Sequence, residues 1–67
     1  MEGNKLIVKL TNEDASKVIE TRIPRGLFYT IEKIRDKNIY IGIDNLHGDA
    51  WVEEFNNLRS CKRWLGY

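Results

Sequence analysis

The chain has 67 residues, of which 42% are hydrophobic and 31% are charged, and its formal net charge is +1. A chain this short forms one domain that buries only about 60% of the surface exposed by its unfolded form, which leaves no room for a deep catalytic cleft. The near-neutral charge argues against the broad basic surface of a non-specific nucleic-acid binder. Since no apolar run approaches the roughly 20 residues that span a bilayer, we expect a small soluble protein.

The chain contains one cysteine, Cys61, and one histidine, His47. An internal disulfide is therefore excluded, and so is a four-ligand structural zinc site within one chain. The start of the chain leads into only a brief hydrophobic run broken by Lys9, without the longer apolar core of a secretory signal. We therefore expect a cytoplasmic protein that is held together by its core, with no cofactor.

The first half of the chain predicts two strands separated by a loop. Residues 5–10, KLIVKL, are short, apolar and β-branched, as in a strand. In residues 11–17 two good helix-capping residues precede acids, so we expect a long loop that contains a short helical turn. Pro24 and Gly26 then stop any helix. Residues 28–35, FYTIEKIR, predict a second strand, and the parity of its apolar residues indicates a bulge or bend near 32–33.

The second half predicts a hairpin and an ambiguous end. Residues 36–38 form a tight connection, and 39–44, IYIGID, predict a strand whose three isoleucines belong to the core. Gly42 lies on the other face, where the missing side chain permits a bend or the close approach of another backbone. Turn residues surround Gly48, and the next strand covers 50–54. Residues 55–67 fit either a short helix capped by Asn56, with Leu58, Cys61 and Leu65 on one face, or a last strand and tail.

These elements predict an all-β fold. A chain without disulfides must protect its strand edges, and closing the sheet into a small barrel does so while forming a compact core. We therefore predict a bent antiparallel meander of five strands, closed into an SH3-like barrel. The single domain covers residues 1–67, with a core at about 5–58 and a C-terminal tail at 59–67.

One pattern in the chain resembles a known family. Ile23, Gly26, Tyr29 and Ile31 occur at the spacing I-x-x-G-x-x-Y-x-I, followed by a tight turn, an isoleucine-rich strand, a glycine turn, a tryptophan strand and a phenylalanine. This order resembles the small SH3-like barrel proteins encoded by phages and prophages of Gram-positive bacteria, over roughly residues 5–58. The resemblance implies a five-stranded barrel and, for most members, no assigned biochemical activity. The tail at 59–67 departs from the family, which usually ends soon after the phenylalanine.

Three sets of residues resemble chemical sites, and each has a simpler structural explanation. Asp44, His47 and Asp49 offer metal ligands, but a calcium loop needs more of them, and a hairpin turn demands polar residues in any case. Glu53 and Glu54 are strand neighbours that point to opposite faces, so they make no acid–base couple and fit a solvated strand edge. Cys61 lacks a paired base and fits a small buried hydrophobic residue. We therefore predict no enzyme and no metal site.

The aromatic and basic residues are more informative. Two tryptophans are hard to bury completely in so small a core, so Trp51 and Trp64 either complete the barrel and pin the tail or face a partner. Aromatic residues and arginine dominate interface hot spots. The predicted partner-binding residues are Tyr29, Tyr40, Trp51, Arg59, Lys62, Arg63, Trp64 and Tyr67.

These residues favour a non-catalytic module that binds another protein, and the phage resemblance makes a bacterial host protein the expected partner, which the module would inhibit or modulate. The contact surface would combine residues 11–27, the aromatic residues and the basic tail. The alternative is a nucleic-acid-binding accessory protein whose basic-aromatic tail stacks on bases. Residues 44–54 argue against it, because they carry four acids and no lysine or arginine. A homodimer is a further alternative, since a symmetric partner would stabilise a marginal fold.

Overall fold

A computed structural model describes residues 6–66; residues 1–5 and Tyr67 lie outside the described part. Four strands and two helices follow one another along the chain. They are β1 (Ile7–Lys9), α1 (Asn12–Thr21), β2 (Leu27–Ile34), β3 (Lys37–Asp44), β4 (Trp51–Phe55) and α2 (Leu58–Trp64). The strands form one mixed sheet in the order β1-β2-β3-β4, in which only the β1–β2 pair is parallel.

The predicted five-stranded all-β barrel is therefore wrong. The described residues form an open four-stranded sheet in a mixed α/β fold, with β1 and β4 at its two edges. The parallel pairing of β1 with β2 explains the difference, because parallel neighbours need a crossover connection, usually a helix. Here α1 is that crossover.

Helix α1 replaces the loop that the sequence predicted between the first two strands. The Thr11 side chain accepts a hydrogen bond from the Asp14 N–H at 3.1 Å, which caps the first turn. Glu13 and Asp14 lie in that turn, where the helix dipole favours negative charge. The helix ends at Arg22, which adopts a left-handed conformation with φ 62°. Instead of one turn, the segment forms ten residues of helix.

Strands β2 and β3 form a hairpin with an unbroken register from Leu27 opposite Asp44 to Ile34 opposite Lys37. The bulge predicted near residues 32–33 is therefore wrong. Ile34 departs from the alternation of apolar residues along β2 because it lies at the exposed tip of the hairpin and not in the core. Arg35 and Asp36 make a two-residue turn, which begins one residue before the predicted three-residue connection at 36–38 and is shorter than it.

The sheet lies between the two helices and buries a small cluster on each face. Ala15 and Val18 of α1 pack on Phe28 and Ile43. Since neighbouring residues of a strand point to opposite faces, Leu27 lies on the other side, where it packs against Cys61 and Leu65 at the end of the chain. Of the three isoleucines predicted as core, Ile43 is fully buried, whereas Ile39 and Ile41 are half-buried.

Helix α2 settles the alternatives left open for the C-terminal segment. Its cap is Asn57 and not Asn56, because the Asn57 side chain accepts the Ser60 N–H at 2.8 Å. Lys62 and Arg63 lie in the last turn, where the helix dipole favours positive charge. Neither helix in the described residues is long and apolar enough to cross a membrane.

Candidate functional site at the edge strand β4

The turn between β3 and β4 contains the residues first considered as metal ligands. The Asp44 carboxylate accepts the Leu46 N–H at 3.1 Å, and this bond shapes the turn. His47 is exposed. Across residues 6–66 no three carboxylate, imidazole or thiol groups lie together in a way that could hold a metal ion. The turn is therefore explained by its backbone geometry.

Cys61 belongs to α2 and is fully buried, because it faces the cluster with Leu27 and Leu65. Burial raises the pKa of its thiol, because the thiolate would lose its hydration there. A nucleophilic cysteine needs the opposite environment, with an exposed sulfur and a lowered pKa. The thiol therefore contributes to packing.

The described residues of the predicted partner-binding set are distributed over β2, β3, β4 and α2. Tyr29 and Tyr40 are half-buried beneath α2, against the cluster of Leu27, Cys61 and Leu65. The ring of Trp64 packs on Gly42 and tilts against Phe55, with 5.8 Å between the ring centroids, and 39% of its surface is exposed. The basic residues of the set lie on α2, where Arg59 and Arg63 are exposed and Lys62 is half-buried. Tyr67 lies outside the described residues.

Trp51 is the most exposed aromatic residue among those that the structure describes, with 65% of its surface exposed although it lies in a strand. The three residues that follow it, Val52, Glu53 and Glu54, are exposed too, with Val52 at 41%. We call these four residues the β4 edge. They combine an aromatic ring, an aliphatic side chain and two carboxylates on the outermost strand of the sheet.

The direction of the backbone groups in β4 follows from the hairpin turn. Ile34 and Lys37 flank a two-residue turn and so bond to each other through their backbones. Bonded and non-bonded pairs alternate along antiparallel strands, so Ile39, Ile41 and Ile43 also bond to β2. Two observed bonds agree with this alternation. The Asn45 N–H donates to the Gly26 carbonyl at 3.2 Å, and the Leu10 N–H donates to the Tyr29 carbonyl at 2.8 Å, towards β1.

The remaining residues of β3, namely Tyr40, Gly42 and Asp44, therefore direct their N–H and C=O groups at β4. Their register partners are Phe55, Glu53 and Trp51. It follows that Val52 and Glu54 direct their backbone groups outward, away from the sheet. No strand pairs with that side of β4 within the described residues.

The electrostatics of the β4 edge are acidic. Glu53 and Glu54 lie on the strand itself and Asp49 precedes it, whereas residues 44–54 include no lysine or arginine. The β4 edge therefore combines outward N–H and C=O groups with a carboxylate on each face of the strand.

A second exposed region involves β1, the start of β2 and the turn between β3 and β4. An open apolar groove of about 360 Å³ is lined mainly by Leu6, Val8, Pro24, Leu27, Phe28 and Leu46. Arg25 is its one titratable lining residue, and its guanidinium donates to the Asn45 carbonyl at 3.2 Å. The groove therefore offers no acid–base pair.

The sequence predicted Trp51 as a partner-binding residue and Glu53 and Glu54 as a solvated strand edge, and it did not join them with Val52 into one candidate site. The two acids were correctly predicted on opposite faces of a strand. In the predicted closed barrel, however, the backbone N–H and C=O groups of this strand would bond to neighbouring strands on both sides. The short acidic strand was the available signal, because charges on a strand are typical of an unprotected edge.

No protein-family model, curated protein or solved structure matches this chain. The assignment of a site therefore rests on the geometry of the β4 edge.

Proposed function

We propose that this protein is a non-catalytic binding module that captures an extended segment of another protein along the β4 edge. The observation that carries the proposal is the outward direction of the Val52 and Glu54 backbone groups beside the exposed ring of Trp51. An added strand would bond to these groups and extend the sheet. This mode of recognition derives affinity from the main chain and specificity from side chains on alternate faces.

Trp51 supports the proposal independently of the backbone. A tryptophan that is 65% exposed leaves a large apolar area in water, and tryptophan is among the residues most often responsible for binding energy at interfaces. Its neighbour Val52 adds apolar surface on the opposite face of the same strand. A bound strand would cover both side chains.

A second copy of this chain suits the β4 edge less well than another protein does. Antiparallel pairing of two β4 strands would bring two copies of Glu53 and Glu54 into one interface with no basic residue in either strand. Like charges across neighbouring strands are destabilising. The acids therefore act against the homodimer and in favour of a basic partner.

The nucleic-acid alternative stays a prediction. The described residues that favour it are Arg59, Arg63 and the half-exposed Trp64 on α2. The acidic β4 edge would repel a polyanion, so the alternative requires that α2 bind alone. A phage origin and a bacterial host partner also stay predictions, and they rest on the sequence resemblance only.

The proposed function is tested with a displayed library of random peptides of about 12 residues, selected on the immobilised protein and measured against three variants. Val52→Pro removes an N–H that faces outward and no bond to β3, so it should fold and lose binding, because proline is tolerated on the free side of an edge strand. Val52→Thr keeps the N–H and is the matched control. Trp51→Ala removes the exposed ring.

We expect selected peptides that bind the wild type and Val52→Thr alike and bind Val52→Pro and Trp51→Ala at least about tenfold more weakly, given the energy that interface tryptophans contribute. Thermal unfolding and circular dichroism establish that each variant is folded. The proposal fails if selected peptides bind all four proteins equally. Salt-sensitive binding of single-stranded oligonucleotides that Val52→Pro leaves intact would support the alternative instead.

A further inference from the structure

The order of residues along the β4 edge defines the partner more closely. The strand reads Trp51-Val52-Glu53-Glu54, with two apolar residues followed by two acids. Because neighbours point to opposite faces, each face of the strand carries one apolar side chain and then one carboxylate. Both faces therefore change from apolar to acidic at the same point along the strand, which gives the edge a direction.

From this we infer, on the basis of the proposed function, that the partner is a strand of another protein with two basic residues followed by two apolar residues, running antiparallel to β4. In this orientation the basic pair lies opposite Glu54 and Glu53, and the apolar pair lies opposite Val52 and Trp51. Antiparallel pairing is the more stable arrangement per residue, and β3 already pairs with the other side of β4 in this way. A parallel partner would need the reverse order.

The backbone geometry ranks the four partner positions. Val52 and Glu54 direct their N–H and C=O groups outward, so their cross-strand pairs are the hydrogen-bonded ones. Trp51 and Glu53 then form the non-bonded pairs, in which Cα atoms lie about 4.5 Å apart instead of about 5.5 Å and side chains approach more closely. The basic residue opposite Glu53 and the apolar residue opposite Trp51 should therefore matter most.

The test compares two synthetic peptides of identical composition within the same flanking residues. One contains the order Lys-Lys-Val-Trp and the other the reverse, Trp-Val-Lys-Lys. We expect the first to bind the wild-type protein at least about fivefold more tightly in a fluorescence-polarisation titration, since its charge and aromatic pairs align with the β4 edge. Val52→Pro should weaken both peptides.

Charge reversal gives a second, independent measurement. Glu53→Lys combined with Glu54→Lys should abolish the preference for Lys-Lys-Val-Trp and favour a peptide with Glu-Glu-Val-Trp. Both side chains are exposed, so the variant keeps its fold. A peptide preference that survives the charge reversal would overturn the inference.

The outcomes separate this inference from the proposed function. If the reversed peptide binds equally or better and Val52→Pro still removes binding, the partner's direction is wrong while the proposed function stands. If neither peptide responds to Val52→Pro, the edge is not the binding surface and both fail. If the protein instead forms a dimer that Val52→Pro dissociates, and neither peptide binds, the occupant is a second copy and the inference is wrong.

Discussion

Asn45 links the segment before β2 to the end of β3. The side chain is fully buried, yet each of its polar groups has a partner. Its Nδ2 donates to the Pro24 carbonyl at 3.0 Å, and its Oδ1 accepts the Gly26 N–H at 2.7 Å. The Asn45 backbone adds a third connection by donating to the Gly26 carbonyl at 3.2 Å. These bonds join two segments nearly twenty residues apart in the chain.

Asn45→Ala should lower the free energy of unfolding by about 2 kcal/mol, because it removes the partners of the Gly26 N–H and the Pro24 carbonyl, whose bonds to Asn45 are partly buried. Asn45→Asp keeps the acceptor for Gly26 and loses the donor to Pro24, so it also destabilises. Urea unfolding measures the change, with Asn38→Ala on an exposed position of β3 as the control. Equal stability of the Asn45→Ala and Asn38→Ala variants would contradict the assigned role.

Cys61 should resist alkylation in the native protein. Its sulfur is fully buried and burial raises the pKa of the thiol, so little thiolate reaches the reagent near neutral pH. We expect slow modification by iodoacetamide under native conditions and rapid modification in urea, followed by mass spectrometry. Fast native modification at pH 7 would show that the sulfur is accessible.

Helix α2 depends on one glycine in the strand beneath it. A Cβ added at Gly42 would lie 3.0 Å from Cε3 of Trp64 and 3.2 Å from Sγ of Cys61. The sequence indicated a bend or the close approach of another backbone at this position, whereas the groups that approach Gly42 are side chains of α2. The contact fixes where the helix crosses β3.

Gly42→Ala should therefore destabilise the protein by about 1–3 kcal/mol, the usual effect of overfilling a packed contact. The loss should be smaller in a Trp64→Ala background, where the nearest clashing ring is gone. Chemical unfolding of the four proteins of this double-mutant cycle measures the coupling. Additive effects would show that the ring does not rest on Gly42.

The strands and helices with more residues in the core were easier to predict from the sequence. β2 and β3 are rich in β-branched and aromatic residues, and both were placed within a few positions. Helix α1 was underestimated because only Ala15 and Val18 are buried, with Ile19 beside them, so its helical periodicity is weak. The position of Ile34 in the apolar alternation wrongly predicted a bulge, since this residue lies beyond the core and its side chain is exposed.

The whole molecule was predicted wrongly because strand pairing is not encoded locally. The sequence of β1 fits a parallel neighbour and an antiparallel one equally well, and the choice depends on α1 crossing over the sheet. The barrel was inferred from the need to protect strand edges. The protein instead leaves β4 exposed and places two acids on it.

The acids of β4 should keep copies of the protein apart. Glu53→Gln combined with Glu54→Gln removes this repulsion, so we expect self-association that increases with concentration in sedimentation velocity. Glu13→Gln with Glu20→Gln makes the same charge change at exposed positions of α1 and is the control. If both double variants behave alike, net charge and not the β4 edge governs association.

Amide hydrogen exchange in β4 tests the open edge most directly, and NMR reads it residue by residue in the free protein. The N–H groups of Glu53 and Phe55 face β3 and should be protected, whereas those of Val52 and Glu54 face outward and should exchange rapidly. Alternating protection along the strand is the predicted result. Protection of all four amides would mean that β4 already has a partner on its outer side, as in a closed barrel or a strand-paired dimer, and would contradict the proposed binding edge.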